Sequence, residues 1–156
     1  MGTIASLAKG LRSVNLPSEI PKMIDRTKQY ILSLNQDQLY KESIDSLGAP
    51  LQLYKSVAYS FYKQTKNPGL AFGRPDLKDT GAFYSAFQID VGYTGIYSIY
   101  STDSKAGELE AKYTKYIYGL TPGSRSQYAA KLYEFEFKPY CKVLFAMNKL
   151  PLIRDR

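Results

Sequence analysis

Four aspartates, Asp76, Asp79, Asp90 and Asp103, are the first residues of this chain whose spacing invites chemistry. Paired carboxylates serve acid–base catalysis or hold a hard cation. All four stand at turns or strand ends, where an aspartate accepts hydrogen bonds from its own nearby backbone. Asp76, Asp79 and Thr80 lack the spacing of a calcium-binding loop. Glu108 and Glu110 fall on different sides of a helix, and Glu134 and Glu136 share one face of a late strand. Neither pair is specific to a glycosidase or a nuclease. The chain has no histidine and one cysteine, Cys141. The usual zinc sets, the Ser-His-Asp and Cys-His nucleophiles and any internal disulfide are therefore excluded. Carboxylate, lysine or tyrosine chemistry stays open, but nothing gathers such groups, so the reading is a non-enzyme with no cofactor and no metal. Cys141 reads as a small buried apolar residue. Gly69 and Gly73 make no phosphate loop, because no Gly-Lys-Ser/Thr ending follows.

Tyr113, Tyr116 and Tyr118 alternate with Lys112 and Lys115. Such interleaving suits stacking on single-stranded bases; it equally suits a half-buried strand edge. The net charge of +7 favours acidic partners. Its excess lies mainly in residues 1–75, yet no run of Lys or Arg concentrates it, which favours a solvated surface over a dedicated nucleic-acid patch. Fifteen tyrosines and seven phenylalanines, without tryptophan, are the strongest bias. Tyrosine gives contact area at low entropic cost and is enriched at interfaces, so the excess points to a protein that lives in an assembly.

The elements around these residues follow from periodicity. A length of 156 residues suits one domain. Residues 1–15 read as an N-terminal arm, 16–150 as a single domain and 151–156 as a basic tail. The arm opens Met1-Gly2-Thr3-Ile4-Ala5-Ser6, which matches a short myristoylation pattern. No apolar run approaches ~18 residues, so no membrane span is expected. Ile20, Ile24, Ile31 and Leu34 mark a helix over 19–34, capped by Ser18. Asn35 caps a shorter turn. Gly48 and Pro50 centre a turn with short extended arms. Residues 55–63 suit a helix or a strand, with Val57, Ala58, Phe61 and Tyr62 inward. Residues 65–75 are an exposed loop carrying Lys66 and Arg74.

Asp79, Thr80 and Gly81 form a turn, and Gly81 supplies a positive φ. The alternation from Phe83 to Asp90 predicts a strand with Phe83, Ser85, Phe87 and Ile89 on one face. A hairpin turn at 91–95 returns the chain as a strand over 96–101. A helix to about Tyr113, a strand over 113–118, a helix over 125–133, a strand over 133–138 and a closing helix from Pro139 complete the order. The fold class is α+β: a small, mostly antiparallel sheet with a central hairpin, packed by an N-terminal helix and further short helices.

The order of these motifs resembles the tail-completion, or head–tail connector, proteins of tailed bacteriophages and prophages. The resemblance rests on Thr80-Gly81-Ala82-Phe83-Tyr84-Ser85-Ala86-Phe87, then Tyr113-Thr114-Lys115-Tyr116-Ile117-Tyr118-Gly119, then Pro139-Tyr140, with the helix at 19–34 ahead of them. Residues 35–76 are longer than the usual link, and Gly119-Leu120 stands where a Gly-Thr is common. The resemblance implies a non-enzymatic virion protein, made in the host bacterial cytoplasm. It implies a homo-oligomeric ring between capsid portal and tail that contacts other head and tail proteins. Tyr113, Tyr116, Tyr118, Lys66 and Arg74 are then candidate subunit contacts. A basic, tyrosine-rich nucleic-acid-binding module is the alternative.

Overall fold

Helix α1, Leu16–Asp37, is the element on which the rest is laid. The computed structural model describes residues 15–147, so the arm, with its myristoylation pattern, and the basic tail lie outside the described residues. The helix starts earlier than Ser18. Pro17 occupies its first turn, where no amide donor is needed, and the Asn15 carbonyl accepts the first bonds from Ser18 and Glu19. The helix also passes through Asn35 without a break and widens into a π-helical turn over Gln38–Glu42. Ser43, at φ 55°, ends it.

The expected turn around Gly48 and Pro50 is present. Ile44 bridges to Pro50, and the Asp45 carboxylate accepts from the amides of Leu47 and Ala49, each at 2.9 Å. Helix α2, Val57–Lys66, follows, its first turn capped by Ser56 Oγ, which accepts from the Tyr59 amide at 3.2 Å. The expected inward face is reversed: Val57, Ala58, Phe61 and Tyr62 face solvent, while Ser60 and Lys63 are buried. The loop after α2 is tied down rather than open. Gln64 donates to the carbonyls of Pro68 and Leu70, Asn67 donates to Tyr40 O, and Leu70, Gly73, Pro75 and Asp76 are buried.

Gly81 does take the positive φ, +95°, but it launches a helical turn, α3, Ala82–Ser85. Thr80 Oγ1 accepts from the Ala82 amide and starts that turn. Strand β1, Phe87–Val91, thus begins four residues later than the alternation predicts. Phe83 and Tyr84 are both buried, which a strand could not allow on one packed face. Strand β2, Tyr97–Ser101, pairs antiparallel with β1, Ile89 opposite Ile99. Gly95, at φ +80°, closes the hairpin against α1; a Cβ there would lie 3.2 Å from Ile20 Cγ2.

Helix α4, Ala106–Tyr113, leads to a residue with φ 67°, Thr114, and a 3₁₀ turn over Lys115–Ile117 in place of the strand expected at 113–118. Helix α5, Pro122–Leu132, is capped by Thr121 Oγ1, which accepts from the Ser124 amide. The strand expected at 133–138 is also helical. A π-helical turn, Tyr133–Phe137, joins α5 to α6, Lys138–Met147. Helical spacing lets Glu134 pair with Lys138 four residues on, while Glu136 meets Arg26 of α1 at 2.6 Å. Pro139 has no amide to give, and the wide turn precedes it.

The α+β class stands, with one two-stranded antiparallel sheet among helices in the described residues. An apolar cluster joins Ile24, Ile31 and Leu39 of the α1 segment to Phe83, Phe87, Ile89 and Ile117. Among the described residues, no helix is long and apolar enough to cross a membrane.

Candidate functional site

Two surfaces meet on α2. Its inner side holds a buried ion pair: Lys63 Nζ lies 2.6 Å from Asp76 Oδ1, with the side chains 7% and 3% exposed. Charges so far from water persist only when paired and further hydrogen-bonded. Asp76 Oδ1 also accepts from the Lys78 amide at 3.1 Å and from the Tyr54 hydroxyl at 3.4 Å. Lys63 donates in addition to Lys78 O, and the Tyr84 hydroxyl donates to Asp76 O. Leu77, at φ 48°, bends the chain so that both neighbours of the bend are used. Burial, then the charge of Asp76, pushes the Tyr54 and Tyr84 hydroxyls well above the usual phenol range. Both stay protonated and act as donors.

Above this pair lies a cleft of about 410 Å³ between the start of α2, the turn at 77–82 and α4. Five lysines and two aspartates line it, with three tyrosines and a few apolar side chains. Lys63 is already neutralised by Asp76, and Lys105 Nζ lies 3.8 Å from Asp79. The rings of Tyr54 and Tyr59 meet edge to face at 4.9 Å. Lys112 Nζ sits 5.8 Å from the Tyr54 ring and 4.8 Å from the Tyr113 ring. The cleft is therefore cationic and aromatic, suited to an anion that carries a flat group.

The outer side of α2 is apolar and uncovered. Val57 is 64% exposed, Phe61 63% and Phe72 50%, and the rings of Phe61 and Phe72 meet at 4.9 Å. Leu53, just ahead of α2, is exposed as well. Tyr93 and Ile96 also stand out from the hairpin tip, and Tyr133 and Phe135 from the turn between α5 and α6.

The residues singled out by sequence divide between these surfaces. Asp79, Thr80 and Gly81 are the turn expected of them and also one lip of the cleft. Tyr113, only 6% exposed, lies in the floor of the cleft and packs in the core, so it offers little to a neighbouring subunit. Tyr116 is exposed on the 3₁₀ turn, and Tyr118 is half-buried against Phe83 and Phe87. The three tyrosines do not share a face. Lys66 is exposed at the end of α2, over the Tyr62 ring, and Arg74 is half-buried in the tied-down loop. Cys141 is partly buried, and its burial pushes the thiol up.

Sequence reading missed the Lys63–Asp76 pair, the lysines that converge on the cleft, and the outward ridge. The signal for the ridge was present: Ser56 marks a helix start, and Ser60 and Lys63 lie on one side of that helix at spacing three. Among the described residues, no group of three or more His, Cys, Asp or Glu side chains could hold a metal ion. Comparisons with protein families, with curated proteins and with solved structures find no match.

Proposed function

We propose that this chain is a structural subunit of a tailed-phage virion, working by self-association and docking at the junction of head and tail. The observation that carries the reading is the apolar ridge of α2. Four large apolar side chains, Leu53, Val57, Phe61 and Phe72, stand half or more in water. Contiguous apolar patches of this kind on a folded chain mark association surfaces. The second exposed patch, at the hairpin tip, lies on a different element. Two unlike patches that meet between copies make a head-to-tail contact, and such contacts close into rings when the rotation permits. The resemblance in motif order to connector proteins supplies the setting. The charge of +7 agrees with a subunit that neighbours the packaged genome's acidic path.

Quantitative mass spectrometry of purified virions tests the setting. The chain is expected in the particle at a fixed ratio to the portal protein. Finding it only in the cytosol of infected cells would remove the virion role.

A further inference from the structure

We infer that the cleft beside α2 is a binding site for a nucleoside phosphate, with the ring against Tyr59 and Tyr54 and the phosphate held by lysines. This is independent of self-association, because the cleft and the apolar ridge lie on opposite sides of α2. The volume of about 410 Å³ falls in the range of roughly 300–1,000 Å³ that accepts a small molecule. It is too small for a folded segment and ample for one flat group with its phosphate.

Charge selects the sign of the ligand. Lys55, Lys78, Lys105 and Lys112 line the cleft, and all four are exposed; Lys78 Nζ lies 4.7 Å from the Tyr40 ring and Lys105 Nζ 3.8 Å from Asp79, exposed contacts that an anion can replace. The acidic groups that face them are Asp79, which is shared with Lys105, and Asp103, whose Oδ1 takes the Lys105 amide at 2.8 Å. The balance stays positive. The start of α2 opens onto the same space through Lys55 and Ser56, and the positive end of a helix dipole adds to the field there.

Rings select the shape. Tyr59 is exposed, and Tyr54 braces it edge to face, which fixes its plane. A tyrosine held this way stacks on a base whatever the base's identity. Lys112, poised over two rings, can leave them for a phosphate without breaking an ion pair, because its contacts in the structure are to aromatic faces. The same chemistry is offered by a free nucleotide and by the phosphorylated end of a single strand.

Calorimetric titration of the full chain at low salt separates the cases, with AMP, a 5′-phosphorylated oligothymidylate, adenosine and inorganic phosphate as probes. AMP or the phosphorylated strand is expected to bind at least roughly tenfold more tightly than adenosine or phosphate alone. Binding of AMP identifies the free nucleotide as a sufficient ligand; binding of the strand alone identifies a strand end. The Lys105→Ala/Lys112→Ala variant and the Tyr59→Ala variant each lose about tenfold in affinity, with unchanged far-UV circular dichroism. No heat from either phosphorylated probe overturns the inference. So does binding that both variants leave intact, or inorganic phosphate that binds as well as AMP.

Discussion

Replacing Asp76 by alanine is expected to lower the unfolding free energy by about 3–5 kcal/mol. The reason is what remains. Lys63 stays buried, and its Asp76 partner 2.6 Å away is gone. The Lys78 amide and the Tyr54 hydroxyl lose an acceptor at the same time. Urea denaturation followed by circular dichroism reads the shift as a fall in midpoint with little change in slope. Replacing both partners, Lys63→Met with Asp76→Leu, is expected to recover most of the loss, because two apolar groups leave no charge stranded. A single variant that matches the parent in midpoint would show that the pair carries no structural weight.

Asn35→Leu is expected to follow, at about 1–3 kcal/mol for each backbone group it strands. Asn35 is fully buried and spans two groups: its Nδ2 donates to Ile117 O at 3.0 Å, and its Oδ1 accepts from the Gly119 amide at 3.2 Å. Gln38 works beside it. Its Nε2 donates to Gly119 O at 2.7 Å, and its Oε1 accepts from the Thr121 amide and the Ser124 hydroxyl. The end of α1 thus satisfies the backbone of residues 117–121 with side chains, as a neighbouring strand would otherwise do. Leucine nearly preserves volume and removes both bonds, so packing is not the cause of the loss. Hydrogen exchange at Gly119 checks the mechanism: its amide is expected to lose protection before those of β1 and β2. Equal protection in variant and parent would contradict the clamp.

The same clamp explains where sequence reading failed. Tyr113 to Tyr118 has the β-branched and aromatic composition of a strand. Composition reports what packs on a sheet, but it does not report whether a partner strand exists. Here the partner is a pair of amides far away in sequence, at 35 and 38, which no local pattern can announce. Residues 133–137 failed for a related reason. Their period of two is real, yet Tyr133 and Phe135 are exposed, and the turn instead sets Glu136 against Arg26 of α1. Residues 55–63 left helix and strand open, and the side expected inward faces water: a buried lysine turned the polar side of α2 inward, and only the distant Asp76 makes that affordable.

What local chemistry controls was legible. Of the apolar face Ile20, Ile24, Ile31 and Leu34 that placed α1 on the core, the last three are buried and Ile20, in the first turns, is exposed. Gly81 needed a positive φ and has one. The hairpin between Phe87 and Ser101 was readable from its alternation and its two glycines, Gly92 and Gly95, because a two-stranded turn is a short-range event. The cleft was not readable. Its lysines come from three separate stretches of chain, and convergence of that kind is a property of the fold.

Self-association is the centre of the functional proposal, and the solution mass of the full chain tests it most directly. Sedimentation velocity across a wide concentration range is expected to show one closed species at a whole-number multiple of 17.6 kDa. The Phe61→Glu variant, which places a charge on a side chain 63% exposed, is expected to run at the monomer mass with unchanged circular dichroism. A parent chain that stays monomeric at every concentration, or a Phe61→Glu variant that assembles as the parent does, would contradict the ridge as the surface by which copies meet.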